Sequence, residues 1–257
     1  MLIQTISHYK HLDNKMAPLT YLDFSKMIDH SLLQPNLTEK ELENGCKLAV
    51  AYDVASVCIM PYYLQRCSDL LVGSTVQPST TIGFPHGGHK TVIKVAEAEQ
   101  ALRDGGTELD MVVNISQVLS GNWDYVRQDI AEVIAVTHAA GKKVKVIFEN
   151  CYLKDEHKIR LCEICGELKA DWVKTSTGYG SSGATMADLT LMRQHSPAAT
   201  QVKAAGGVRD FQTLLQVRQL GVTRCGASRT KDMLDECRKQ LDLPAIEFKG
   251  SSGAGGY

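Results

Sequence analysis

Short apolar, β-branched runs recur along the chain, with helix-forming stretches between them. Eight runs have strand length: Lys26–Leu33, Val54–Pro61, Val76–Pro85, Glu108–Asn114, Lys143–Glu149, Ala170–Thr177, Gln201–Ala205 and Val222–Ala227. Near-continuous apolar stretches such as Val144-Lys-Val-Ile-Phe148 suit parallel strands covered on both faces. The intervening segments carry helix signals. Thr38-Glu-Lys-Glu41 sets a hydroxyl and a carboxylate three apart, the spacing at which each satisfies an orphan backbone donor. Val95–Arg103 is rich in strong helix formers and stops at Gly105-Gly106. Alternating strand and helix predicts an α/β fold with a parallel sheet, and eight units predict a closed (β/α)8 TIM barrel in a single domain. A doubly wound open sheet is the alternative, but no Gly-x-Gly-x-x-Gly follows the first strand to support it. The barrel is expected over residues 23–243. Residues 1–22 form an N-terminal extension to which no function is assigned. Residues 244–257 form a tail that is flexible by composition.

Composition narrows the function classes. The chain has 257 residues, with 28 Lys plus Arg against 29 Asp plus Glu and a formal charge of −1. A near-neutral surface offers no bulk attraction to phosphate polymers, so no nucleic-acid partner is expected. No stretch approaches the ~18–20 apolar residues of a membrane span. The segment Met1–Thr20 lacks the compact apolar stretch of a signal peptide, so the expected location is cytoplasmic. The eight cysteines are scattered. The one close pair, Cys162-x-x-Cys165, sits beside Leu161, Ile164 and Leu168 at helical spacing. It reads as small core-facing residues rather than a metal or redox site.

Candidate chemistry lies where polar residues interrupt the strand runs: Asp29, His30, Cys58, Asp110, Glu149, Lys174 and Lys203. The lysines are the most informative, because a buried ammonium is expensive unless paired or neutralised. Lys174 and Lys203 fall on strands six and seven, neighbours about 4.8 Å apart. If both point inward, each raises the cost of protonating the other, and desolvation pushes the same way. A lysine so depressed is a nucleophilic amine that can form a Schiff base with a carbonyl. Asp110, a carboxylate in an apolar strand, could neutralise a lysine or relay protons. His30 is as well explained by a hydrogen-bonded structural role as by a catalytic one. Gly206-Gly207-Val-Arg209 and Gly226-Ala-Ser-Arg229 end strands seven and eight and open helices. Glycine-rich loops at those two places suit the phosphate of a phosphorylated substrate. Tyr257 ends a Gly250-Ser-Ser-Gly-Ala-Gly-Gly tether that could reach roughly 15 Å, enough to fold over a barrel mouth.

These residues together carry a resemblance. Ile28-Asp-His-Ser-Leu-Leu33, Gly83-Phe-Pro-His-Gly87, Glu108-Leu-Asp-Met-Val-Val-Asn114, Val173-Lys-Thr-Ser-Thr-Gly178, Val202-Lys-Ala-Ala-Gly-Gly-Val-Arg209 and Gly226-Ala-Ser228 resemble the deoxyribose-phosphate aldolase family, in order from about Asp23 to Leu241. The family is a (β/α)8 class I aldolase that reversibly cleaves 2-deoxy-D-ribose 5-phosphate to D-glyceraldehyde 3-phosphate and acetaldehyde. The resemblance implies that Lys174 is the Schiff-base lysine, Lys203 its pKa-lowering neighbour and Asp110 the proton-relay carboxylate. It places Gly178, Gly206, Gly207, Gly226 and Ser228 at phosphate-loop positions. Asp29, Cys58 and the terminal Tyr257 are the further catalytic candidates. No metal and no cofactor is implied; the partners are the phosphosugar and aldehyde substrates, with a homodimer as the assembly considered. Tyr179 stands where some members carry a lysine directed at the phosphate. A transaldolase or phosphosugar isomerase on the same barrel, or a non-catalytic sugar-phosphate binder, are the alternatives.

Overall fold

The computed structural model describes residues 19–248. Eight parallel strands form one closed barrel in chain order: β1 (Ile28–Leu32), β2 (Ser56–Ile59), β3 (Gln77–Ile82), β4 (Glu108–Val112), β5 (Lys143–Ile147), β6 (Trp172–Lys174), β7 (Gln201–Ala205) and β8 (Arg224–Ala227). Each strand lies within one of the eight apolar runs. β8 returns to pair with β1 through Ile28–Cys225, Asp29–Gly226 and His30–Ala227, which closes the sheet and removes the open alternative. The run through Thr177 yields only three strand residues because its end leaves the ladder. There the Thr175 hydroxyl donates to Ala205 O at 3.2 Å, and Thr177 turns to the Glu149 carboxylate.

The helices are α1 (Leu22–Ser25), α2 (Glu39–Ala51), α3 (Leu64–Leu71), α4 (Thr91–Arg103), α5 (Ile115–Leu119), α6 (Trp123–Ala139), α7 (Asp155–Glu167), α8 (Met186–His195), α9 (Phe211–Gln219) and α10 (Thr230–Gln240). The expected capping box opens α2: Thr38 N donates to Glu41 Oε2 at 2.8 Å, and Glu41 N donates to Thr38 Oγ1 at 3.4 Å. α4 ends at Arg103, just before the two glycines. Cys162 and Cys165 are buried on α7, where burial pushes both thiols up, Cys162 to about 11. Leu19 and Tyr21 ahead of the barrel, and Ile246 and Phe248 after it, pack against the core. Among the described residues no helix is long and apolar enough to cross a membrane. Tyr257 and residues 1–18 lie outside the described residues.

Alternation along the strands creates two environments. Leu109, Met111, Val144, Val146, Val173, Val202 and Ala204 are buried in one apolar cluster with helix residues such as Ile130, Val133, Leu161 and Leu214. Each such Val or Leu contributes about 1.5–3 kcal/mol on leaving water, so this outer layer supplies the driving force. The opposite positions, among them Asp110, Lys145, Lys174 and Lys203, are buried and meet one another across the barrel axis. A barrel interior is usually filled by branched apolar side chains. Here it is filled largely by charge.

Candidate active site

The buried charges form a closed circuit. Asp29 on β1 pairs through Oδ1 with Arg224 Nη1 on β8 at 2.6 Å. Arg224 grips Glu108 on β4 with two hydrogen bonds, Nη2 to Oε1 at 2.8 Å and Nη1 to Oε2 at 2.9 Å. Glu108 Oε2 meets Lys145 Nζ on β5 at 2.6 Å, and Lys145 reaches Asp110 Oδ1 at 2.8 Å. Asp110 Oδ2 meets Lys203 Nζ on β7 at 2.7 Å, and Lys203 returns to Asp29 Oδ2 at 2.6 Å. Three carboxylates thus alternate with three cations. Lys174 stands outside this circuit, its Nζ 2.9 Å from Asp110 Oδ2 and paired with no other carboxylate among the described residues. The Trp172 indole lies beneath, 4.9 Å from Arg224 Cζ and 5.6 Å from Lys145 Nζ.

This arrangement separates the lysines electrostatically. Burial is the main force on Lys174 and pushes its ammonium below the ordinary lysine range; Asp110 opposes this and the Lys203 charge adds to it. Lys203 is equally desolvated, but Asp110 and Asp29 together outweigh burial and push it well above the ordinary range. Lys145 is likewise raised, by Asp110, Glu108 and Asp29. The mutual depression expected of Lys174 and Lys203 therefore falls on Lys174 alone, because Lys203 holds a second carboxylate. Asp110 resists burial through Lys145, Lys174 and Lys203 and is held far below the carboxylate range, so it stays an anion.

A cavity of about 220 Å³ opens above this floor. Lys174, Lys203, Asp29 and Cys58 line its depth, and Gly206, Gly207, Gly226 and Ser228 line it from the loops after β7 and β8. Gly206 and Gly207 have left-handed φ values of 72° and 88°, which glycine alone adopts readily. A Cβ on Gly206 would lie 2.9 Å from Gly183 Cα, so the two backbones approach as closely as they do only without side chains. The loop after β8 leads into the N-terminus of α10, where no side chain caps the first turn and an anion is suited, whereas Asp210 caps α9 by accepting from Thr213 N at 2.7 Å. Arg209 and Arg229 line the same wall. Gly178, with φ 93°, sits one residue beyond Thr177, which lines the cavity, and does not line it itself.

Other candidates resolve by geometry. His30 points away from Asp29, since neighbours on a strand face opposite sides. Its Nδ1 lies 2.8 Å from Thr230 Oγ1 on α10, and burial pulls it down to about 4, so it is a neutral structural histidine. Cys58 is a buried thiol raised by desolvation and by Asp110. The Tyr179 hydroxyl donates to Leu33 O at 2.7 Å and its ring packs edge-on against Phe84, so it ties the loop after β6 to the loop after β1. Glu149, which is buried, accepts from Thr177 N at 3.2 Å and braces the loop carrying Gly178. Sequence reasoning passed over Lys145, Glu108 and Arg224. Lys145 carried the same signal as Asp110, an ionisable residue flanked by apolar ones in a strand. Glu108 and Arg224 sit at strand beginnings, where a charge ordinarily faces water.

The family model described as "DeoC: DeoC/LacD family aldolase" matches residues 24–229. A curated deoxyribose-phosphate aldolase from Rhodopirellula baltica is 70% identical over 242 residues, covering 94% of this chain and 100% of that protein. One from Caldanaerobacter subterraneus is 44% identical, covering 85% of this chain and 95% of its own length. Among solved structures, a putative deoxyribose-phosphate aldolase from Coccidioides immitis superposes with a TM-score of 0.82 at 32% identity, covering 91% and 95% of the two chains. A deoxyribose phosphate aldolase from Aeropyrum pernix, described as a unique tetramer, gives 0.78 at 29% identity, covering 86% and 93%.

Proposed function

The chain belongs to the DeoC/LacD aldolase family, and from that premise we propose that it reversibly cleaves 2-deoxy-D-ribose 5-phosphate to D-glyceraldehyde 3-phosphate and acetaldehyde through a Schiff base on Lys174. One observation carries the residue assignment: of the three buried lysines around Asp110, only Lys174 is depressed, and it lines the cavity. A neutral amine is what attack on an aldehyde requires. The amine adds to C1 of the open-chain sugar, and uptake of a proton from solvent with loss of water gives the protonated imine. A water held by Asp110 and Lys203 takes the C3 hydroxyl proton as the C2–C3 bond breaks and passes it on to C2 of the enamine. The imine accepts the electron pair and becomes an enamine; protonation at C2 and hydrolysis release acetaldehyde. Lys203, kept charged by two carboxylates, stabilises negative charge that develops on oxygen. Asp110, too acidic to hold a proton itself, orients the water that moves it. The glycine loops after β7 and β8, with Ser228, bind the substrate phosphate.

We place this reaction in the cytoplasm, in the catabolism of deoxyribonucleotide-derived sugar phosphates, with a homodimer as the assembly to test by sedimentation. Borohydride reduction in the presence of acetaldehyde, followed by peptide mass mapping, tests the chemistry: an ethyl group on Lys174 is expected. Adduct on Lys203 with Lys174 unmodified would reverse the assignment. Product analysis separates the alternatives, since an isomerase never yields acetaldehyde and a transaldolase needs an acceptor sugar.

A further inference from the structure

We propose that Glu108 and Arg224, which lie outside the lining of the cavity, are positioning residues that close a charge-neutral circuit and so make Lys174 the surplus cation of the barrel. The proposal rests on the reading of Lys174 as the reacting lysine. Asp29, Glu108 and Asp110 contribute three negative charges, and Lys145, Lys203 and Arg224 three positive ones. Lys203 and Arg224 each bridge two carboxylates, and Lys145 meets three, with Asp29 at 3.6 Å beside Glu108 and Asp110, so each proton is held from at least two sides. The circuit needs no further charge. A proton on Lys174 therefore leaves the interior with one uncompensated positive charge, and shedding it restores neutrality.

The groups that share the barrel interior with Lys174 come from the other strands. They are Asp29 from β1, Cys58 from β2, Glu108 and Asp110 from β4, Lys145 from β5, Lys203 from β7 and Arg224 from β8, while β3 contributes only hydroxyls such as Ser79 and Thr81. Cys58 is kept protonated and neutral by burial. Arg209 and Arg229 on the cavity wall are exposed and screened by water, so the interior balance depends on the six circuit members. Glu108 and Arg224 sit two residues before Asp110 and Gly226 on their strands, toward the end of the barrel opposite the cavity. They act on the reaction through Lys145, Asp110, Asp29 and Lys203.

The sign of the effect follows from charge alone. Arg224→Met leaves the circuit with one excess negative charge, which favours the Lys174 ammonium. Glu108→Gln leaves one excess positive charge and disfavours it. A unit charge roughly 10 Å away at an effective dielectric of ~20 moves a titration by about one pH unit.

The experiment measures the pH dependence of kcat/KM. Independently of the substrate phosphate, it also measures the rate at which acetaldehyde and cyanoborohydride label Lys174. The limb that rises with pH should move up by about one unit in Arg224→Met and down by a similar amount in Glu108→Gln. In the double variant, which removes both charges, it should return to the position of the unsubstituted enzyme. Either folded single variant with an unmoved limb overturns the proposal, as does movement of both in the same direction, the mark of loosened packing. If neither single variant folds, the double decides it: a displaced limb refutes charge balance, and a coincident one upholds it. Label appearing on Lys203 instead would overturn the reaction assignment, and it is read separately from where the limb lies.

Discussion

Lys203→Met gives the most direct test of how the site activates its amine. Lys174 and Lys203 share Asp110 Oδ2 at 2.9 and 2.7 Å, so their nitrogens lie no more than about 5.6 Å apart, the sum of the two distances. At an effective dielectric of ~20, unit charges that far apart repel by about 3 kcal/mol, equivalent to about 2 pH units. Removing Lys203 also frees Asp110 and Asp29 to attract the remaining ammonium, which acts in the same direction. Relaxation of the site opposes both, so the rising limb of kcat/KM should move up by one to two units. Imine formation at neutral pH should slow 10- to 100-fold and recover as the pH is raised. Methionine keeps the side-chain length, and Lys203→Arg, which keeps the charge, should leave the limb near its original place. A folded Lys203→Met enzyme whose plateau falls while the limb stays fixed would refute electrostatic activation and leave Lys203 only its part in stabilising charge on oxygen.

Three other outcomes follow from the same geometry. Gly207→Val, at a left-handed φ of 88° on the cavity wall, should raise KM for deoxyribose 5-phosphate at least tenfold while changing that for unphosphorylated deoxyribose little; equal losses would move the phosphate elsewhere. His30 is held at about 4 against an ordinary 6.5, so the unfolded chain binds its proton first as the pH falls. The fold should therefore lose about 3 kcal/mol between pH 6.5 and 4 from this residue, by urea titration, and His30→Gln should flatten that slope. Deleting Tyr257 should slow deuterium exchange into the acetaldehyde methyl group while leaving imine trapping at Lys174 intact; full-rate exchange would make the terminus a bystander.

The barrel was legible because each strand must be apolar on its helix-facing side, and that constraint is local. Lys174, Lys203 and Asp110 were legible for the converse reason: an ionisable residue in such a strand must have a purpose on the other face. What the sequence concealed was partnership. Arg224 lies 195 residues from Asp29 and 116 from Glu108, and only closure of β8 onto β1 brings them together. The charge state of Lys203 was concealed with them, since it turns on Asp29 as well as on Asp110. His30 was ambiguous in sequence and is settled by alternation, which sends it to Thr230 while Asp29 faces the axis.

Depth of burial does not select the nucleophile. The relative exposures of Lys145, Lys174 and Lys203 are 0%, 3% and 1%, so desolvation alone would depress all three. The difference is that Lys145 and Lys203 each bridge carboxylates on two sides, whereas Lys174 has one carboxylate and shares it. A barrel interior holding four cations and three anions must shed one proton to be neutral, and it sheds the one bound least. On the proposed assignment, the identity of the reacting lysine is therefore a property of the whole circuit. A substitution on β1 that removes the Asp29 carboxylate from Lys203 should transfer reactivity toward it while leaving the Lys174–Asp110 pair in place. Asp29→Asn is the sharpest such change, since it leaves Lys203 on Asp110 alone, as Lys174 is. Borohydride trapping should then distribute adduct over both lysines; adduct confined to Lys174 would show that the loop geometry above the amine, rather than charge balance below it, selects the nucleophile.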